Sequence, residues 1–227
     1  MKLGVVTGVL REAHCLQNGM DMANVMVRCA GARPEYAEKC ATDLLAEGCS
    51  ALISFGIAGG LAPALSAGQV VVADRVVTPS KREIPTSDNW RERLVSALPR
   101  NGTIVMGAVA GSENIVLDPD AKQNMFSDTG AIAVDMESHR VALVAAEAGV
   151  PLMVVRAVCD AADQTIPRSA VGAINENGAP HYGKVIVGLC KRPSDLPKLM
   201  RLSKDSESAF ASLRRVASVA GVLFRFA

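Results

Sequence analysis

The 31 residues from Ala133 to Asp163 (AVDMESHRVALVAAEAGVPLMVVRAVCDAAD) constrain the fold more than any other part of the chain. An apolar run from Ala131 to Val134 ends in Asp135-Met136-Glu137. A helical run follows, with Val141, Val144, Ala145 and Ala148 at helical spacing, and it stops at Gly149-Val150-Pro151. A second apolar run, Leu152 to Val158, ends in Cys159-Asp160. Continuous apolar strands joined through a helix predict neighbouring parallel strands covered on both faces. Ligands of such sheets bind outside the carboxyl ends of the strands, so Glu137 and Asp160 are expected on a functional rim.

With 227 residues, strand and helix alternating, the chain fits one α/β domain. About half the residues are hydrophobic (49%) and net charge is +1, which excludes a disordered chain and gives no basic footprint for nucleic acid. The six cysteines are scattered, with no CxxC pair and no Cys/His ligand spacing. Free thiols in a cytoplasmic protein without a structural metal are expected, and no apolar run reaches bilayer length.

Periodicity predicts strands over 2–7, 24–30, 51–55, 69–73 and 103–109, and helices over 34–47, 92–98, 120–126 and 182–190. Residues 79–90 are polar, contain Pro85 and are expected to form a loop. A basic amphipathic helix is expected from about Lys204 to Phe226. No internal repeat is present.

The strand at 51–55 runs into Gly56-Ile57-Ala58-Gly59-Gly60-Leu61, expected to be a glycine turn. It lacks GxGxxG spacing and a P-loop lysine. Such glycines either let backbone N–H groups approach a ligand or simply pack a tight junction. Glu12, Glu137 and Asp160 each have a plain reading as charges in a helix first turn. Together with the glycines, at the ends of predicted strands, they form the convergence that an active site of this architecture requires.

The segments SFGIAGGLAPALSAGQVVVAD, AVDMES and VVRAVCDAAD resemble the purine nucleoside phosphorylase superfamily, in particular its methylthioadenosine/S-adenosylhomocysteine nucleosidases. The likeness runs from the first strand to about Asp163. The short N-terminal half, MESH and the tail LCKRPSDLPKLMRLSKDSESAFASL look most like the hopanoid-associated phosphorylases, assigned to removing adenine from adenosylhopane. The resemblance implies a single three-layer α/β domain over 1–227, with a central mixed, largely parallel sheet and a family-variable helical extension from about 192. It implies no cofactor, a purine nucleoside substrate that is lipid-linked in the hopanoid case, phosphate as an optional co-substrate, and a homo-oligomer.

By the same resemblance, Asp160 is the general acid that protonates the purine at N7, and Glu12 activates the attacking water. Glu137 accepts the ribose 2′ and 3′ hydroxyls, and Met136 packs against the sugar. Gly59, Ile57 and Ala58 line the site; Asn114 and Ile115 border the base; Arg11 is a candidate anion contact. The chain departs from the nucleosidases at Ile57 and at Cys159, where they carry Ser, and at Asn114, where they carry a stacking aromatic. The phosphate-holding arginines of phosphorylases are not evident, and Ser54 stands where one class has Arg, so water leads phosphate as nucleophile.

His14, His139 and His181 have no metal-ligand spacing; His139 suits a capping or interface role, and His14 is close enough to Glu12 to be considered for the pocket wall. Asp163 is a candidate support for the loop after Asp160, and Cys159 a packing residue. Phe210, Leu213, Val216, Leu223 and Phe224 lie near helical spacing beside Arg214, Arg215 and Arg225. They predict a helix packed on the domain or a partner, or else an interfacial helix on a membrane. A non-catalytic nucleoside-binding protein is the alternative of another class, and it would not need a proton donor at Asp160.

Overall fold

The computed structural model describes residues 2–18, 22–99, 102–172, 174–175 and 177–220. In chain order they form β1 (Lys2–Thr7), α1 (Leu10–Gln17), β2 (Val25–Cys29), α2 (Pro34–Ala46), β3 (Cys49–Gly60), β4 (Val70–Val77), β5 (Glu83–Pro85), α3 (Asp88–Ala97), β6 (Ile104–Gly111), α4 (Pro119–Thr129), β7 (Ala133–Asp135), α5 (Ser138–Ala148), β8 (Leu152–Asp160), α6 (Tyr182–Lys191) and α7 (Leu196–Ala220).

The strands make one mixed, largely parallel sheet in the order β2-β1-β3-β7-β6-β4-β5, with β8 pairing both β3 and β4. Because β8 bridges those two, the strands β3, β7, β6, β4 and β8 close into a ring. Helices cover the sheet on both sides, which gives the expected three layers. On one side Leu16 of α1, Trp90 and Leu94 of α3, and Phe210 and Leu213 of α7 join the core. On the other, Ala37 and Leu44 of α2 pack with Val141 and Ala145 of α5.

Three sequence expectations are corrected. The strands β7 and β8 are not parallel neighbours: β3 lies between them, parallel to β8 and antiparallel to β7. Periodicity located both strands correctly, but their shared partner lies far upstream in the chain. The glycine segment is no turn, since β3 continues through it to Gly60. Residues 79–90 include the edge strand β5, which buries Ile84 against β4, and the start of α3.

The β3 extension sets the register of the site. Gly59 pairs with Val134 of β7 on one edge and Asp160 of β8 on the other. The acidic ends of the two strands therefore meet across one glycine. Gly56 is needed for a different reason. A Cβ there would collide with Arg156 Nη1 and lie 2.5 Å from Glu12 Oε1.

The apolar side of α7 is part of the core: Ala209, Phe210, Leu213, Val216 and Ala217 are buried. These residues are not free to enter a membrane, and Leu223, Phe224 and Arg225 lie outside the described residues. Among the described residues no helix is long and apolar enough to cross a membrane.

Gly56→Ala is expected to destabilise the fold by about 1–3 kcal/mol, the usual cost of overpacking, because both side chains it strikes are fixed in a hydrogen-bonded network. Urea denaturation of the two proteins measures this; an unchanged midpoint would show that the network yields.

Candidate active site

Glu12 occupies the third position of α1, from which a glutamate reaches back to the helix entrance. Its Oε2 accepts from the backbone N–H of Gly8 at 2.7 Å and of Val9 at 2.9 Å. Its Oε1 accepts from the Ile57 N–H in β3 at 2.8 Å. The carboxyl is 2% exposed, and burial lifts its proton affinity above the ordinary carboxylate range, against the pull of Arg156 and the three N–H donors. A buried carboxylate so disposed is suited to take a proton.

Glu137 follows β7 immediately before α5. Asp135 accepts from the Ser138 backbone N–H at 3.2 Å and from its hydroxyl at 2.5 Å, which starts the helix and fixes the residues between. The Glu137 carboxyl is pushed up to about 8. Burial is the main cause; the Arg156 guanidinium, 3.5 Å away, opposes it, while Asp135 and Glu12 add to it. Burial wins because Arg156 is already committed to an ion pair with Asp135.

Arg156, in the middle of β8, has no exposed surface. Besides Asp135 and Glu137 it donates to Ser54 Oγ at 2.5 Å and to Ser138 Oγ at 3.1 Å. Asp160 closes β8 and is 2% exposed. Its Oδ2 is 2.5 Å from Nζ of the fully buried Lys122, and its Oδ1 accepts the Cys159 thiol at 3.0 Å. Burial, then the Asp160 charge, push that thiol well above its usual range, which rules Cys159 out as a nucleophile.

All the residues expected at the site line one cavity of about 980 Å³: Glu12 and Asp160, Glu137 and Met136, Ile57, Ala58 and Gly59, Asn114 and Ile115, and Arg11. Arg11 is nevertheless engaged, its Nη2 donating to Oε1 and Oε2 of Glu207 of α7 at 2.8 and 2.9 Å and its guanidinium stacked over Phe210. His14 is exposed and does not line the cavity, whereas His181 does. His139 is buried, with Nε2 3.0 Å from Glu113. Asp163 is exposed; the loop after Asp160 is held by Lys122, which donates to the carbonyls of Ala161 at 2.7 Å and Gln164 at 3.0 Å.

Sequence reasoning missed Lys122 and Arg156 as participants, and placed Asp135 with Met136 and Glu137 at the sugar without its ion pair to Arg156. Arg156 had a signal, since a charge in the centre of an otherwise apolar strand must be paired. Lys122 had none, because a lysine on a short polar helix is usually solvated. Part of the lining was missed too. Val185 and Leu189 of α6 and Leu196, Leu199 and Met200 of α7 also line the cavity. A return segment carrying Gly178 is tied to the α1 entrance, its carbonyl accepting from the Leu10 N–H at 3.0 Å. Among the described residues no cluster of side chains could hold a metal ion.

A 5′-methylthioadenosine/S-adenosylhomocysteine nucleosidase of Listeria monocytogenes is 27% identical over 137 residues, which cover 50% of this chain and 58% of that protein. The match thus spans little more than half the relative's length. The nucleosidase of the same name from Neisseria meningitidis, solved with methylthio-immucillin-A, superposes with a TM-score of 0.74 at 15% identity, covering 97% of this chain and 99% of the other. The native futalosine hydrolase of Helicobacter pylori gives 0.67 at 18% identity, over 95% and 97%. At such identities the likeness to these structures is one of fold. The family model described as the phosphorylase superfamily matches residues 21–190, well over half the sequence, and this chain therefore belongs to the phosphorylase superfamily.

Proposed function

We propose that this protein hydrolyses the N-glycosidic bond of a 5′-substituted adenosine and releases adenine, with adenosylhopane, in hopanoid side-chain synthesis, as its preferred substrate. The observation that carries the proposal is the convergence of four buried carboxyl groups, Glu12, Asp135, Glu137 and Asp160, on one cavity that apolar residues of α6 and α7 also line. Adenine leaves poorly as an anion, so a proton delivered to N7 from Asp160 as the bond stretches lowers the barrier. Glu137 accepts the ribose hydroxyls through charge-assisted bonds, and its charge favours the developing oxocarbenium ion. Glu12 takes a proton from the attacking water.

Water is preferred to phosphate because the guanidiniums of Arg11 and Arg156 are already paired with carboxylates. The size of the 5′ group is argued from the cavity, which lies at the upper end of the roughly 300–1,000 Å³ range of small-molecule sites. In this reading the nucleoside occupies the carboxylate end and the 5′ substituent lies against Val185, Leu189, Leu199 and Met200, which also line the cavity. A hydrocarbon substituent would gain about 25 cal/mol for each Å² of apolar surface it buries there. Exposed Ile186, Val187 and Met200 carry Lys184, Lys191 and Lys198 nearby in sequence, which supports a peripheral contact with a membrane holding such a substrate. The names of the relatives favour a second reading, a methylthioadenosine/S-adenosylhomocysteine nucleosidase.

The test is adenine release from adenosine, methylthioadenosine and adenosylhopane, with and without phosphate. Release that needs no phosphate, with the highest kcat/KM for adenosylhopane, is the expected result. A phosphate requirement, or preference for methylthioadenosine, would replace the proposal with one of its rivals. Asp160→Asn should lower kcat by about 10²–10⁴-fold, and near-normal turnover would remove Asp160 from its role.

Binding should also depend on pH in a defined direction. The ribose hydroxyls need the ionised form of Glu137, which in the free protein loses its proton at about 8. Affinity for a non-hydrolysable nucleoside should therefore rise as pH rises through that value, with a proton released on binding. Calorimetric titration in buffers of different ionisation enthalpy measures that proton. Glu137→Gln should abolish its release; release undiminished in that variant would assign the proton to another group.

A further inference from the structure

The mechanism above requires Asp160 to be a donor when the base leaves, yet its surroundings are those of an acceptor. Lys122 lies in the first turn of α4, whose entrance is fixed by Asp118 accepting from the Ala121 N–H at 2.9 Å. From there the side chain runs inward with no exposed surface, and its ammonium meets Asp160 Oδ2 at 2.5 Å. The ammonium has three hydrogens. One goes to Asp160 and the others to the carbonyls of Ala161 and Gln164, so the cation has a complete shell without water. The other carboxylate oxygen accepts from Cys159. Asp160 thus receives a donor at each oxygen.

Resting on the functional reading just given, we infer that Lys122 stores the proton that leaves with the base and that Asp160 relays it. The glycosidic C–N bond breaks with its electron pair on the purine. Lys122 Nζ first passes a proton to the Asp160 carboxylate, which accepts at both oxygens and holds none of its own, and Asp160 hands a proton on to the purine nitrogen, leaving a neutral amine on Lys122. The water that adds to the anomeric carbon gives its proton to Glu12. After the products depart, Glu12 releases that proton to solvent and Lys122 takes one up, which restores both groups. The titratable groups around the pair are Cys159 on β8, whose thiol donates to Asp160, and Glu12 on α1, whose charge acts on that thiol together with those of Asp160 and Lys122. Asp163, Lys198 and Arg201 line a smaller cavity beside Asp160, and Asp205 of α7 reaches the same loop through the Gln164 amide at 2.9 Å.

A merely structural lysine would tie down the loop and nothing else, so the test reads the proton. The pH profile of kcat for adenine release from methylthioadenosine is compared for the unaltered protein, Lys122→Met and Lys122→Arg, with folding checked by thermal melts. A relay predicts that the unaltered enzyme keeps its turnover into mildly alkaline pH. In Lys122→Met a carboxyl replaces an ammonium as the proton source. Loss of the counter-charge raises that carboxyl's proton affinity, yet it still gives up its proton at lower pH than an ammonium. The alkaline limb therefore shifts towards acid and kcat at alkaline pH falls by about a hundredfold or more, with KM little changed. Lys122→Arg keeps the charge but cannot give up a proton at any working pH, so it should not rescue.

Recovery of kcat in Lys122→Arg, or an alkaline limb that Lys122→Met leaves in place, would overturn the relay while leaving the nucleosidase reading intact. Should neither variant fold, the unaltered profile decides alone, since an alkaline limb already complete in weakly acidic solution also overturns it. No adenine from any nucleoside with the unaltered protein would sink the functional reading, and the relay with it.

Discussion

The buried guanidinium of Arg156 is the interaction on which the rest of the site depends. Four carboxyl groups, Glu12, Asp135, Glu137 and Asp160, gathered around one largely apolar cavity repel one another and lose their hydration, a combination that a fold does not tolerate without a fixed counter-charge. Arg156 supplies that charge from the middle of a core strand. It pairs with Asp135, lies within reach of Glu137 and is held in plane by two serine hydroxyls. Lys122 does the same for Asp160. Removing one partner from such a pair typically costs about 3–5 kcal/mol, so both cations are bound into stability as well as chemistry.

The division of labour between the two cations follows from geometry. Arg156 shares itself among several acceptors, so Glu137 remains easily protonated despite its presence. Lys122 concentrates on one carboxylate oxygen and two carbonyls. The site therefore holds one carboxyl poised near neutrality and another locked in an ion pair. Two titratable groups with environments this different can take different proton roles in one pocket.

Much of this was legible in the sequence because it is local. The strand–helix–strand pattern over 131–160, the amphipathic α2 and the acids that end each strand all follow from spacing along the chain. Ten of the residues that line the cavity were likewise named, from motifs that resemble those of the nucleosidases. Pairing was not legible. Nothing in AVD or LMVVRAVCD says that β3 separates them, and nothing in GIAGG says that a glycine run will continue a strand rather than leave it. Lys122 and the apolar wall of α6 and α7 escaped for the same reason: each acquires its meaning only from an element distant in sequence.

The Gly178 carbonyl, which accepts from the Leu10 N–H, links two ends of the site that chemistry would keep apart. On one side of that bond is the segment leading to the apolar wall; on the other, two residues along α1, is Glu12. Under the proposed function, a tail seated on the apolar residues of that wall would rest on a segment hydrogen-bonded to the helix that carries Glu12. Energy released by seating the tail can then be spent on setting the nucleophile rather than on holding the ligand, and substrates shortened at that end would lose speed before they lost affinity.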